Sequence, residues 1–103
     1  MGKIEQSLAV DHPAVEGHFP GNPIIPGAVL LSVTLRAIGE DLGASLYPCT
    51  IRAAKFYFPA RPGDQMSIEF TGTVPGEIKF ACAVRGKKVL AGQLECHGAA
   101  TGR

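Results

Sequence analysis

The chain has no tryptophan, few other aromatic residues and few cysteines, and each shortage narrows its class. Its aromatic side chains are five Phe and two Tyr. The three cysteines, Cys49, Cys82 and Cys96, show no Cys-x-x-Cys spacing, which argues against a disulfide framework and against a structural zinc site. A hairpin that turns at residues 86–87 would place residue 82 opposite residue 91, so Cys82 and Cys96 are not expected to pair. The pattern indicates three small buried residues in a reducing compartment.

An excess of charge of either sign is also missing. Ten Lys and Arg face nine Asp and Glu, which gives a formal net charge of +1. Nucleic-acid binding depends on many phosphate contacts, so this near-neutrality argues against a nucleic-acid partner. No apolar run reaches the roughly 18 residues of a membrane span, and no apolar signal segment follows Met1. We therefore expect a cytoplasmic protein without a membrane span.

The length of 103 residues predicts a single domain over residues 1–103. Residues 4–10 predict a first strand. Residues 11–27 hold four prolines and three glycines and predict a loop, and its length is typical of functional loops.

A buried helix is predicted after this loop. Pro26 suits its first position, because a missing N–H costs nothing there. The following residues are apolar on most sides of the helix, except for a polar stripe formed by Ser32, Arg36 and Glu40. Either Gly39 or Gly43 is expected to end the helix.

The rest of the chain shows the alternation of strands. Apolar and polar residues alternate over residues 49–58, 66–71, 78–84 and 90–96, and turn sequences separate these segments. In the first of them, Phe56 and Phe58 are predicted on the apolar face. Antiparallel strands with one buried face are indicated, so we expect an α+β domain whose sheet wraps one helix.

One histidine lies in the proline-rich loop just before the helix. The segment from His18 to Gly27 reads His-Phe-Pro-Gly-Asn-Pro-Ile-Ile-Pro-Gly. The first N–H groups of a helix have no intrahelical partner, and with the helix dipole they polarise a carbonyl or hold an oxyanion. A base beside such donors is the arrangement that removes a proton from a carbon next to a carbonyl.

Residues 18–27 resemble the signature of the hot-dog-fold 3-hydroxyacyl-acyl-carrier-protein dehydratases of fatty-acid synthesis, and match it throughout. The turn at residues 59–64 and the hairpin at residues 76–95 also look like parts of that family. The resemblance implies a hot-dog fold, in which an antiparallel five-stranded sheet wraps around one long central helix. It implies dehydration of a 3-hydroxyacyl thioester to a 2-enoyl thioester, in fatty-acid or polyene/polyketide-type biosynthesis, without a metal or an organic cofactor.

The same resemblance implies roles for individual residues. His18 corresponds to the base that removes the C2 proton, and the backbone N–H of Gly27 corresponds to the donor that polarises the thioester carbonyl. The residues expected to line the acyl site are Phe19, Pro20, Gly21, Ile24, Ile25, Pro26, Leu30, Leu31 and Phe56.

Ser32 stands where the family carries an acid, fourteen positions after the histidine. In the family this acid assists loss of the C3 hydroxyl and comes from the other subunit of a dimer. A serine hydroxyl is not an acid of useful strength near neutrality. The resemblance therefore implies either a homodimer that lacks the acid or a heterodimer with a homologous hot-dog subunit that supplies it.

Two other functions stay open at this point. A non-catalytic, acid-deficient subunit would bind acyl groups and pair with an active homologue, which Ser32 favours. An acyl thioesterase would need a carboxylate to activate water, and the helix carries none at the site position.

Two further patterns have weaker interpretations. His12, Glu16 and His18 resemble metal ligands, but a fourth ligand is missing and Pro and Gly separate them. The turn residues Lys87 and Lys88 are either solvated or meet the acidic surface of an acyl carrier protein. The resemblance implies this carrier protein as the partner that delivers the substrate.

Overall fold

The computed structural model describes residues 2–8 and 24–97 of the chain. The elements follow in the order β1 (Gly2–Ser7), α1 (Gly27–Leu42), β2 (Cys49–Phe56), β3 (Gln65–Gly72), β4 (Gly76–Val84) and β5 (Lys87–Cys96). The strands form one antiparallel sheet in the spatial order β1-β3-β4-β5-β2. The predicted sequence of elements and the α+β class are confirmed, although most of the predicted loop lies outside the described residues.

The helix begins and ends at residues that its sequence favours. Pro26 is the N-cap, one position before the place predicted for it, with φ −56° and ψ 145°. Gly43 ends the helix in the left-handed conformation, with φ 70°, which glycine adopts without steric cost. Gly39 lies inside the helix, where a Cβ would come 2.8 Å from the carbonyl oxygen of Ala44. No helix among the described residues is long and apolar enough to cross a bilayer.

The core lies between α1 and the inner face of the sheet. The hydroxyl of Thr34 on α1 lies 3.5 Å from Sγ of Cys82 on β4, which places the helix against the middle of the sheet. The predicted polar stripe of the helix is exposed. All residues of the predicted apolar faces of β3, β4 and β5 are buried, and Val89 on β5 is buried in addition. The predicted ones are Met66, Ile68, Phe70, Ile78, Phe80, Cys82, Val84, Leu90, Leu94 and Cys96.

The hairpin between β4 and β5 turns one residue earlier than predicted. Arg85 and Gly86 form a two-residue turn with φ values of 52° and 78°, the positive pair that a type I′ turn requires. A shift of register after Cys82 then sets this residue opposite Leu90, one residue before the predicted partner. Cys82 and Cys96 do not pair, as predicted.

The edge strand β2 departs from the prediction of one buried face. Every residue from 50 to 59 is exposed, including Phe56 at 49% and Phe58 at 54%. The helix packs over β1 and the central strands, so the described part of the chain leaves the inner face of β2 uncovered. The alternation correctly predicts a strand, but the described part of the chain does not bury the apolar side chains of β2.

Candidate active site

The turn between β2 and β3 holds the start of the helix in place. The N–H of Ile25 donates to the carbonyl oxygen of Ala60 at 2.8 Å. The N–H of Leu8 donates to the carbonyl of Asp64 at 2.9 Å, and the N–H of Gly63 donates back to Leu8 at 2.8 Å. The end of β1 and the approach to α1 are therefore both fixed to this turn.

A buried carboxylate stabilises the same turn. Asp64 accepts the backbone N–H of Arg61 at 2.9 Å and lies 3.4 Å from the guanidinium of Arg85. The buried carboxylate of Asp64 therefore has both a hydrogen-bond partner and an ionic partner, as a buried charge requires. The turn predicted at residues 59–64 is held in this way and supports the site.

The start of α1 presents backbone donors without acceptors. The N–H groups of Val29 and Leu30 both donate to the carbonyl of Pro26, at 3.0 Å. Those of Gly27 and Ala28 have no acceptor among the described residues, and no side chain there caps the helix. Two N–H groups at the positive end of the helix dipole are suited to a developing oxyanion.

A cavity of about 320 Å³ lies where the start of α1 meets the end of β2. Gly27 permits a close approach there, because a Cβ at this position would lie 3.0 Å from Cε1 of Phe56. Among the described residues, no charged side chain lines the cavity. A base for chemistry in the cavity therefore has to come from elsewhere. The lining residues are Ile24, Ile25, Gly27, Leu30, Phe56, Tyr57, Phe58, Pro59 and Ala60.

The structure brings together only part of the predicted site. Pro26 adjoins the cavity as the helix cap, and Leu31 is partly buried against the core; neither lines the cavity. Four predicted site residues lie outside the described residues: His18, Phe19, Pro20 and Gly21.

Four cavity residues are missing from the sequence prediction: Tyr57, Phe58, Pro59 and Ala60. Tyr57 and Phe58 line the cavity, and the ammonium groups of Lys88 and Lys87 lie 5.4 Å from their respective ring centroids. Such distances allow cation–π attraction. The sequence did contain one signal for Tyr57 and Phe58, the run of three aromatics at residues 56–58. A strand with one buried face needs an apolar side chain only at every second position, so three consecutive aromatics are more than such a strand requires.

Ser32 faces another side of the helix. It is exposed and lines two clefts, one of about 260 Å³ together with Ala28 and Arg36 and one of about 670 Å³ together with Glu40. Ser32 lies five positions after Gly27, which corresponds to a rotation of about 140° around a helix. Ser32 and Gly27 therefore line different cavities of the chain.

Solved structures of similar shape place the chain in the hot-dog fold. The dehydratase heterocomplex ApeI:P from Xenorhabdus doucetiae matches with a TM-score of 0.70 and 18% identity, over 90% of this chain and 83% of that one. The (R)-hydratase from A. caviae involved in PHA biosynthesis matches with a TM-score of 0.65 and 15% identity, over 91% and 92%. The fold predicted from the resemblance is confirmed.

Sequence relatives define the family within this fold. The 3-hydroxyacyl-[acyl-carrier-protein] dehydratase FabZ of Haemophilus influenzae is 37% identical, over 81% of this chain and 74% of the relative. That of Klebsiella pneumoniae is 34% identical, over 88% and 69%. The ApeI-like family, described as ApeI dehydratase, matches residues 2–93. The chain belongs to this ApeI-like dehydratase family.

Proposed function

We propose that the chain acts in the dehydration of 3-hydroxyacyl thioesters of acyl carrier protein to 2-enoyl thioesters, with His18 as the base. The observation that carries the proposal is the pair of N–H groups at the start of α1 that have no acceptor among the described residues and lie beside an apolar cavity. Membership of a dehydratase family supports the reaction class.

The proposed reaction begins at C2 of the acyl group. The imidazole of His18 removes a proton from C2, and negative charge develops on the thioester oxygen. The N–H of Gly27 donates to that oxygen in a cavity whose described lining carries no charged side chain. Loss of the C3 hydroxyl, assisted by an acid, then completes the elimination of water.

The surroundings of the cavity support an acyl substrate on an acidic carrier protein. Ile25, Leu30 and Phe56 provide apolar surface for the acyl chain. Lys87 and Lys88 lie at the aromatic wall of the cavity and are exposed, so they are available to an acidic protein surface.

The missing acid is proposed to come from a second subunit. Ser32 faces away from the cavity of its own chain, so the residue at this position belongs to a site shared with a partner. The open edge of β2, with Ile51 and Phe56 exposed, offers a surface for pairing of two sheets. A homologous hot-dog subunit with an acid at the position of Ser32 would complete the site that contains His18.

A second candidate function follows from the same serine. In this candidate the chain carries no acid and does not convert substrate itself. It binds acyl groups and stabilises an active partner subunit. Ser32 favours this candidate because an exposed serine, and not a carboxylate, stands at the position of the family's acid.

The product identifies the reaction. The purified chain, alone and with a homologous acid-bearing subunit, is incubated with 3-hydroxyacyl-carrier protein and examined by mass spectrometry. Dehydration lowers the mass of the acyl-carrier protein by one water, whereas hydrolysis releases the free carrier. Loss of water supports the proposal. Release of carrier would indicate a thioesterase, and no change in either mixture would favour the binding subunit.

Replacing Gly27 with alanine is expected to lower kcat/KM for dehydration by about 10- to 100-fold. The new methyl group would lie 3.0 Å from Cε1 and 3.1 Å from Cζ of Phe56, so the ring must move into the cavity space. The double variant Gly27→Ala/Phe56→Leu removes the clash and is expected to recover part of the loss. Unchanged kinetics in the single variant would show that substrate does not use this cavity.

A further inference from the structure

Two of the three cysteines are direct neighbours across the sheet. Cys49 on β2 and Cys96 on β5 are opposite partners in the antiparallel register. Beside them, the N–H of His97 donates to the carbonyl of Pro48 at 3.0 Å. Hydrogen-bonded and non-hydrogen-bonded pairs alternate along such a ladder, so Cys49 and Cys96 form a non-hydrogen-bonded pair.

This pair type suits a covalent link. Its Cα atoms lie about 4.5 Å apart and its side chains share one face of the sheet. Disulfides span Cα separations of about 4.4–6.8 Å. Two cysteines at such positions can therefore be joined without moving the strands.

Solvent reaches this pair of cysteines only from the side of Cys49. Cys96 is 2% exposed, whereas Cys49 is half-buried and reaches solvent. Burial raises the pKa of both thiols, and the neighbouring Cys49 raises that of Cys96 further. Both thiols are therefore mainly protonated at neutral pH, and they react slowly with an oxidant because the thiolate is the reactive form. The oxidant reaches the pair from the side of Cys49.

We propose that Cys49 and Cys96 form a reversible intrachain disulfide that fastens the edge strand β2 to β5. With hydrogen peroxide as oxidant, the thiolate of Cys49 attacks one oxygen, forms a sulfenic acid and releases hydroxide, which takes up a proton as water. The sulfur of Cys96 then attacks the sulfenic sulfur, forms the S–S bond and releases a second water. Two thiols are oxidised and one peroxide is reduced.

The position of the link gives it a mechanical effect. The ladder between β2 and β5 is interrupted by a register shift between Ile51 and Ala53. The link holds the short piece of β2 that precedes this shift, at the open edge of the sheet. It lies away from the acyl cavity, which is at the other end of β2 beside Phe56, but on the same edge strand that is proposed to pair with a second subunit.

Cys82 provides an internal control. It is fully buried on β4, opposite Leu90, and its nearest polar neighbour is the hydroxyl of Thr34 at 3.5 Å. Burial raises the pKa of its thiol to about 11. It has no cysteine across either neighbouring strand and is expected to stay reduced.

Peptide mapping tests the proposal directly. The reduced chain is treated with hydrogen peroxide, unfolded in denaturant, blocked there with N-ethylmaleimide and digested with trypsin without reductant. Trypsin separates the three cysteines into residues 37–52, residues 80–85 and a peptide that starts at Val89. The expected product joins the first and third peptides, about 2 Da below their summed mass, while Cys82 carries the maleimide. A link through Cys82, links only between chains, or no linked peptide would overturn the proposal.

Thermal unfolding supplies the second readout. Oxidation is expected to raise Tm by at least about 5 °C, and dithiothreitol is expected to reverse the change. Cys49→Ser should abolish the shift, and Cys82→Ala should retain it. A shift that survives Cys49→Ser would contradict the assignment even if the linked peptide were found.

Discussion

The variant His18→Ala is expected to lose about 10²- to 10⁴-fold in kcat/KM for dehydration of a 3-hydroxyacyl thioester. The reason lies in the composition of the cavity. Its described lining supplies backbone donors and apolar surface but no charged side chain. Without His18, no charged side chain of the described lining is available to remove the C2 proton, whereas the fold and the donors at the start of α1 are expected to stay intact. Single-turnover mass spectrometry of the acyl-carrier protein measures the rate.

The matched control is His97, the histidine that lies among the described residues. His97 is exposed, and its Nε2 lies 2.9 Å from the hydroxyl of Thr50. It is seven residues along β5 from Leu90, the partner of Phe56, or about 20 Å from the cavity end of the strand. His97→Ala is expected to keep at least half of the activity. Equal losses in both variants would show that His18 has no specific role.

Truncation of Ile78 to alanine is expected to lower the free energy of unfolding by about 2–5 kcal/mol. Ile78 lies on β4 with no exposed surface, at the centre of the sheet. Its neighbours are strand residues fixed by pairing on both sides, so the cavity left by the truncation cannot collapse easily. Chemical denaturation measures the change, which is a large part of the stability of a typical domain.

The substitution Ile51→Ala tests whether the loss of unfolding free energy expected at Ile78 comes from burial or from the strand propensity of isoleucine. Ile51 and Ile78 both pair with Leu94, one from each side, but Ile51 is 47% exposed on the edge strand. Ile51→Ala is expected to cost less than about 1 kcal/mol in the isolated chain. Similar losses at both positions would mean that β2 is covered as completely as β4.

Local patterns predicted the elements well where one face of each element is buried by the chain itself. The alternation of Met66, Ile68 and Phe70 and that of the β4 residues marked the inner face of the sheet correctly. The helix was placed by proline at its start and by glycine at its end. These signals depend on neighbours within a few residues, so the sequence carries them.

Features that depend on distant residues were missed. The alternation at Phe56 and Phe58 predicts a strand, but it does not show whether residues of the same chain bury these side chains. The pairing of Cys49 with Cys96 depends on the strand order β1-β3-β4-β5-β2, in which the first strand after the helix lies beside the last. A register shift within β2 and one within β5 further change which residues meet, and neither leaves a clear mark in the local sequence.

Part of the lining of the candidate cavity was predictable because it comes from one short segment of the chain. The donors at Gly27 and the apolar residues Ile24 and Ile25 follow directly from residues 18–27. Tyr57 and Phe58 come from a distant part of the chain and enter the cavity only through the register of β2 and β5. Their placement therefore required the structure.

The central claim is that the chain keeps a base and an oxyanion donor but lacks its own acid. The most direct measurement compares dehydration by the wild-type chain, Ser32→Glu and Ser32→Gln, in which glutamine has the shape of glutamate without its acid, each without an acid-bearing homologue, so that two copies of the same chain form the shared site. The account predicts that Ser32→Glu is at least about 10-fold faster than the wild type, that Ser32→Gln is not, and that adding His18→Ala removes the gain. Equal rates for the wild type and Ser32→Glu, or a gain that survives the loss of His18, would contradict it.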